Sequence, residues 1–375
     1  MKAPWKIFFV IHLLLVIILL SEAQAGFIED QLNEAKTEYA LGNYQNALSI
    51  FKPLAEQGNA FAQHYLGNMY MRGVGVQQDY TEAAKWYSNS ATQGFSYAQH
   101  QLGFLYANGK GVPQDYEKAV KWYSEAVEQG HPVAPLNLGL MYQHSEGVSQ
   151  NLEKATNLYR IGADRGNADA LFKLGTMYYF GWGVSKDYMK AASLFHQAES
   201  KETLNPQNRF AAQFNLGGMY YKGLGVAQDF KKAAKLFRKL AEEGDIGAQY
   251  NIGIMYFKGE GVKKNIVKAS NWFIKAAEQN HILAQFFLGY MYKKGLGVSQ
   301  DFVQAYKWYL LAATQREPQY NGYAIADYNL LKEESARAAA ARYKALKKML
   351  TPTQRSEAEK LVREWKPKTW EELSK

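Results

Sequence analysis

Ser49-Ile50-Phe51-Lys52 places a hydroxyl and an ammonium at the spacing of an acylating S-x-x-K pair. That chemistry needs Ser-Asp-Asn and Lys-Thr-Gly companions, and the chain has neither. The seven histidines are the other reactive set. His12 lies in an apolar leader, and His64 and His100 share a column with Leu136, Phe172, Phe214, Tyr250 and Phe286, so they read as core substitutes. His131 and His281 stand just before helices, while His144 and His196 fall at variable positions. None pairs at i, i+4 with a carboxylate, so no metal site is expected. Cysteine is absent, which excludes disulfides, thiolate nucleophiles and Cys-based metal sites. Gly-x-Gly-Val loops could cradle phosphate, but they follow helices rather than strands, and the nucleotide fingerprint requires a βα context. No cofactor and no catalytic function are expected.

Aromatic pairs could serve as stacking platforms for nucleic acid. The pairs Trp86-Tyr87, Trp122-Tyr123, Trp272-Phe273 and Trp308-Tyr309 are replaced elsewhere by Leu158-Tyr159, Leu194-Phe195 and Leu236-Phe237. Packing accounts for both sets, and nucleic acid is not an expected partner. Lysines also form columns: Lys222, Lys258 and Lys294 in one, Lys118, Lys154, Lys190, Lys232 and Lys268 in another. The basic character lies late in the chain, with 14 basic and 7 acidic residues in 210–310 against 11 and 12 in 59–200. Such columns are either a solvated face or a stripe for anionic lipid head groups or an acidic partner. Lys222, Lys258, Lys294, Lys232 and Lys268 are the candidate anion contacts.

What positions these residues is a repeat. The skeleton Ala-x-x-x-Leu-Gly-x-x-Tyr, then a Gly-Val turn, begins at Ala62, Ala98, Ala134, Ala170, Ala212, Ala248 and Ala284, with spacings of 36 residues apart from one of 42. A fixed period of this length marks a stacked array. Each period reads as two helices. In the first, Ala, Leu and Tyr share one face. Its interior glycine costs about 1 kcal/mol against alanine, so its return at Gly67, Gly103, Gly139, Gly175, Gly217, Gly253 and Gly289 implies close helix packing. The second helix starts at Asp79, Asp115, Asn151, Asp187, Asp229, Asn265 or Asp301, all strong N-caps. The fold class expected is all-α, a solenoid of stacked helix pairs.

Two periods depart from the pattern. Ser145-Glu146-Gly147 replaces Gly-x-Gly, which removes one glycine from a turn that needs φ > 0. The fourth period is longer over Glu199 to Phe210, an expected hinge or bulge. Residues 1–25 read as a signal peptide, with a 14-residue apolar run from Ile7 to Leu20 and Ala23-Gln24-Ala25 as cleavage site. Residues 27–58 form an N-terminal helix pair and 59–315 the seven repeats; 316–375 are capping helices that cover the last apolar face. The expectation is an exported chain, periplasmic or secreted. A monomer is expected.

Residues 98–130 carry, nearly intact, the pattern Ala-x-x-x-Leu-Gly-x-x-Tyr-x-x-Gly-x-Gly-Val-x-x-Asp-x-x-x-Ala-x-x-Trp-Tyr-x-x-Ala-Ala-x-x-Gly, which resembles the Sel-like repeat family, relatives of tetratricopeptide repeats. The resemblance covers 27 to about 315. It implies a right-handed α-solenoid that binds protein partners and does not catalyse. The Cys-free, exported form resembles secreted members from Gram-negative intracellular pathogens, which act in host-cell entry and trafficking. It implies a host or envelope protein partner, a peptidoglycan-related adaptor among the alternatives.

By resemblance to tetratricopeptide arrays, the variable face of the first helix lines a concave groove. Three columns lie on it: Asn68, Phe104, Leu140, Thr176, Gly218, Ile254 and Tyr290; then Tyr65, Gln101, Asn137, Lys173, Asn215, Asn251 and Phe287; then Arg72, Asn108, His144, Phe180, Lys222, Lys258 and Lys294. The partner-binding candidates are Tyr65, Asn68, Arg72, Gln101, Phe104, Asn108, Leu140, Phe180, Phe287 and Tyr290, with Phe104, Phe180, Phe287 and Tyr290 expected as exposed anchors.

Overall fold

The computed structural model describes residues 24–314 and 328–374, except for the side chains of 328–332. Residues 1–23 and 315–327, with most of the signal peptide and the start of the capping region, lie outside the described residues. The described elements are all helical, and none is long and apolar enough to cross a membrane. The chain divides into two compact units, Met1–Gly166 and Asn167–Lys375.

The first unit holds α1 (24–41), α2 (Tyr44–Glu56), α3 (Ala60–Arg72), α4 (Tyr80–Ala91), α5 (Ser96–Asn108), α6 (Tyr116–Glu128), α7 (Ala134–His144) and α8 (Leu152–Asp164). The second holds α9 (Ala168–Phe180), α10 (Tyr188–Glu199), α11 (Pro206–Lys222), α12 (Phe230–Glu242), α13 (Ile246–Lys258), α14 (Ile266–Glu278), α15 (Ile282–Lys294), α16 (Phe302–Thr314), α17 (Tyr328–Met349), α18 (Pro352–Glu364) and α19 (Trp370–Leu373). From α3 onward, each odd helix up to α15 is the first of a repeat and packs on the helix after it.

The interior glycine decides how closely the pair packs. A Cβ on Gly67 would lie 2.7 Å from the Tyr87 ring, and one on Gly103 2.9 Å from Tyr123. The same holds for Gly139 with Tyr159, Gly175 with Phe195 and Gly217 with Phe237. A ring on the second helix fills the space where the first has no side chain, so the glycine's cost in helix propensity is offset by burying an aromatic. At Gly111, Gly225, Gly261 and Gly297 the second glycine of the turn meets backbone: a Cβ on Gly261 would clash with the carbonyl oxygen of Phe230, at the start of the preceding repeat's second helix.

All seven expected caps of the second helices form, for example Asp229 Oδ1 accepting from Lys232 N at 2.9 Å and Asn265 Oδ1 from Lys268 N at 2.8 Å. The departures behave differently from the sequence expectation. Ser145 takes φ +62°, so the third turn keeps its left-handed residue without a glycine. The long connection is held by hydrogen bonds at both of its ends. Part of it extends α11, and the rest is tied down: Asp169 Oδ1 accepts from Asn208 Nδ2 at 2.7 Å and Asn205 N at 3.2 Å, while Arg209 donates to the carbonyls of Glu199 and Lys201 at 2.8 and 2.9 Å. After α16, helices α17 and α18 cover Tyr306 and Tyr309 with Leu346, Leu350 and Ala358, all buried. The Thr351–Gln354 capping box opens α18 as expected. α19 was not expected, although Thr369-x-x-Glu372 is a second capping box that signals it.

Candidate functional site

The candidate columns lie on the first helices, away from their interior alanine, leucine and glycine. In the first unit the variable face is occupied by its own side chains. Tyr65 stacks on Phe51 at 4.8 Å and meets Tyr39 edge-on at 5.4 Å. Arg72 Nη1 donates to Tyr39 Oη at 3.0 Å. Asn68 is held from two sides, by the His64 ring at 3.0 Å and by the Tyr87 hydroxyl, which donates to its Oδ1 at 2.7 Å. Asn108 Nδ2 donates to the Phe104 carbonyl at 2.8 Å. Gln101 and Leu140 are half-buried. These contacts order the face and leave few unsatisfied groups on it.

Phe104, Phe180, Phe287 and Tyr290, expected as exposed anchors, are half-buried. Phe180 lies flat on Trp182 at 4.3 Å, Phe287 stacks on Phe273 at 5.6 Å, and Lys110 sits over Phe104 at 5.6 Å. Large rings next to grooves between helices turn into them, because the apolar area covered outweighs the rotamer freedom lost.

In the second unit the columns meet at a cavity. It measures about 260 Å³ and is lined by Tyr221, Phe237, Tyr250, Asn251, Ile254, Met255, Lys258 and Phe287. Asn251, Ile254, Lys258 and Phe287 come from the three columns read in the sequence. Tyr221 and Tyr250 were missed. Tyr250 shares the core column of His64 and Tyr221 follows the repeat's own tyrosine; rings recur in both columns, so no signal singled these two out. The walls are aromatic and aliphatic. The rim is polar: Tyr221 Oη donates to Glu260 Oε2 at 2.6 Å, and Lys258 Nζ lies 3.0 Å from that hydroxyl and 3.6 Å from the carboxylate. Burial, followed by the Glu260 carboxylate, raises the Tyr221 hydroxyl above its ordinary pKa. Bonding to Tyr221 holds Lys258 cationic. A mostly apolar hollow with a few polar groups at its mouth suits one side chain of a partner together with its adjoining backbone.

The lysine columns divide. Lys222 and Lys294 are exposed at the ends of α11 and α15. Lys232 and Lys268 are part of a recurring contact: Lys118, Lys154, Lys190, Lys232 and Lys268 each lie 5.1–5.6 Å over the repeat tyrosine of the preceding helix, at Tyr106, Tyr142, Tyr178, Tyr220 and Tyr256. Where the cap is Asp115, Asp187 or Asp229, its carboxylate also pairs with the lysine at 3.1, 3.8 and 3.8 Å. The column thus ties the two helices of a repeat together, with the ammonium groups still facing water.

His64, His100, His131 and His281 are tied into the helical packing. Nδ1 of His131 accepts from Val133 N and Ala134 N at 3.2 and 3.1 Å, and Nδ1 of His281 accepts from Ala284 N at 3.1 Å, so both cap first helices. His131 stacks on His100 at 4.3 Å, and His100 bonds Asn137 at 2.9 Å. Burial holds His64 at about 4, His100 at about 3 and His131 at about 4, each neutral at physiological pH.

The Sel1 repeat family model matches residues 60–95, 96–131, 132–167, 168–201, 210–245, 246–281 and 282–316. Among solved structures, a Sel1 repeat protein from Oxalobacter formigenes is 29% identical, with a TM-score of 0.55 over 66% of this chain and 96% of its own. The c5321 protective antigen of uropathogenic Escherichia coli, which displays an SLR fold, is also 29% identical over 95% of each chain, with a TM-score of 0.31. A putative Sel1 repeat protein from Klebsiella pneumoniae is 23% identical over 54% of this chain and 95% of its own, with a TM-score of 0.35. Among curated proteins none matches. Sel1 repeat proteins are in general non-catalytic scaffolds for protein–protein contact. With seven matched repeats on stacked helix pairs, the chain belongs to the Sel1 repeat family and to the α-solenoid fold class.

Proposed function

We propose that this chain is an exported, non-catalytic scaffold that grips a segment of a host or envelope protein on the faces of its first helices. The observation that carries the reading is the cavity between Tyr221, Tyr250 and Phe287, where three independently read columns converge. An apolar partner side chain entering it would be desolvated against the aromatic walls, and buried anchors of this kind dominate interfaces. Asn251 offers a donor and an acceptor to partner backbone. Exposed Lys222 and Lys294 favour an acidic flank. Export rests on the apolar run before Ala23-Gln24-Ala25. A role in host-cell entry is the use this scaffold would have if the partner is a host protein.

The test is co-purification from the native setting with the natural chain, Phe287→Ala and Lys258→Glu. The expected result is loss of the same partner in both variants at a temperature where circular dichroism shows each still folded. Full retention in both would refute the assignment.

A further inference from the structure

Beyond α18 the chain does not simply stop. It turns back over the second helices of the last repeats. The Trp365 ring meets Trp308 edge-on at 6.4 Å. Lys368 N–H donates to the Glu278 carbonyl at 2.9 Å, and its ammonium lies 3.4 Å from the Glu278 carboxylate, whose side chain is only 15% exposed. Trp370 then lies on the turn after α12. A Cβ on Gly244 would sit 2.6 Å from the indole Cγ, so the ring rests on bare backbone. Lys275 Nζ is 5.1 Å from the ring of Trp272 and 5.1 Å from that of Trp370, sandwiched between the two indoles. At the matching turns of the first unit, a Cβ on Gly94, Gly130 or Gly166 would meet nothing within 4 Å.

This is how a linear peptide is held: one main-chain hydrogen bond, one ion pair and one aromatic ring on a flat seat. The rest of the segment (Lys366, Pro367, Thr369, Glu371 and Glu372) is exposed. Within the segment, the Thr369–Glu372 capping box forms the turn that presents Trp370. Glu278 gives the seat a charge requirement. It is shielded from water and faces Lys307 and Lys368, while burial lowers the Lys307 pKa, so a ligand without a cation there would leave the carboxylate poorly compensated.

We propose that Gly244, Trp272, Lys275 and Glu278 form a docking seat for linear peptides that carry a basic residue two places before an aromatic one, and that the chain's own Lys368-Thr369-Trp370 fills it in cis. The seat is separate from the cavity on the first helices. A tethered ligand acts at an effective concentration on the order of millimolar, so a free peptide of the same sequence competes poorly until the tail lifts. The tail therefore keeps the seat closed to weak ligands and open to a partner that binds more tightly.

The experiment titrates a fluorescein-labelled peptide of residues 364–374 into the full-length chain and its Trp370→Ala variant, followed by anisotropy. The expected result is binding at least tenfold tighter to Trp370→Ala than to the natural chain. Lys368→Glu in the chain, which sets a carboxylate against Glu278, is a second opening variant and should behave alike. Glu278→Lys added to Trp370→Ala should abolish binding of the natural peptide and restore it for a Lys368→Glu peptide. Equal binding to the natural and opened chains, no binding to either opened chain at millimolar peptide, or failure of the charge swap would overturn the proposal.

Discussion

A Cβ added to Gly253 would lie 2.9 Å from Cε1 of Phe273, which is fully buried on the facing helix. The relationship reverses the usual effect of a helix-interior glycine. Gly→Ala in an exposed helix stabilises by about 1 kcal/mol, whereas a methyl forced against a packed ring costs about 1–3 kcal/mol. Gly253→Ala is therefore expected to forfeit the usual gain and to destabilise the second unit by up to about 2 kcal/mol in urea unfolding. Phe273→Leu, which leaves room for the methyl, should lessen the penalty when combined with it. A stabilised Gly253→Ala would mean that the ring does not set the helix spacing.

Ser145 tests the turn from the other side. It holds φ +62°, a conformation that costs a non-glycine residue about 1–2 kcal/mol. Its side chain is exposed, and its hydroxyl donates to the Val148 carbonyl at a long 3.2 Å. Ser145→Gly is expected to raise the stability of the first unit by about 1 kcal/mol, read as a higher urea midpoint. No change would indicate that the Val148 contact offsets the strain.

His64, His100 and His131 set a pH dependence for the first unit. Their pKa values are lowered by burial from the ordinary 6.5 to about 4, 3 and 4, with His131 and His64 adding to the shift at His100 and Arg165 to that at His131. Each binds its proton more readily unfolded than folded, so its contribution is full above pH 6.5 and is lost as pH falls towards the folded values. Between pH 7.5 and 5.5 the loss is about 1 kcal/mol each for His64 and His100. Urea midpoints should fall over that interval, and His100→Leu, which installs the residue that position 136 holds in the same column, should flatten the slope. An unchanged slope would show that His100 is not held neutral by the fold.

The repeat made most of the fold legible, because each of its rules is local. A cap such as Asp229 is recognised by its place before a helix, and Gly253 by its cost in one. What the period could not convey is where a side chain goes after its Cα is placed. Lys232 and Lys258 both fall in regular columns, yet one lies over Tyr220 and the other at the rim of a cavity. Phe180 and Phe287 fall in columns of the first helices, yet their rings fold down onto Trp182 and Phe273. The cavity itself needed Tyr221 and Tyr250, whose role depends on three helices meeting. Asp169, which ties down the long connection, lies a full repeat away from Asn205 in sequence.

The central claim is recognition through the first-helix face of the second unit, and site-specific photocrosslinking measures it most directly. A benzophenone amino acid replaces Ile254, which lines the cavity, or Val267, which is 57% exposed on a second helix. Irradiation in the native setting is expected to join a defined partner to position 254 and to leave 267 without that adduct. The same partner captured at 267 and absent at 254 would contradict the account.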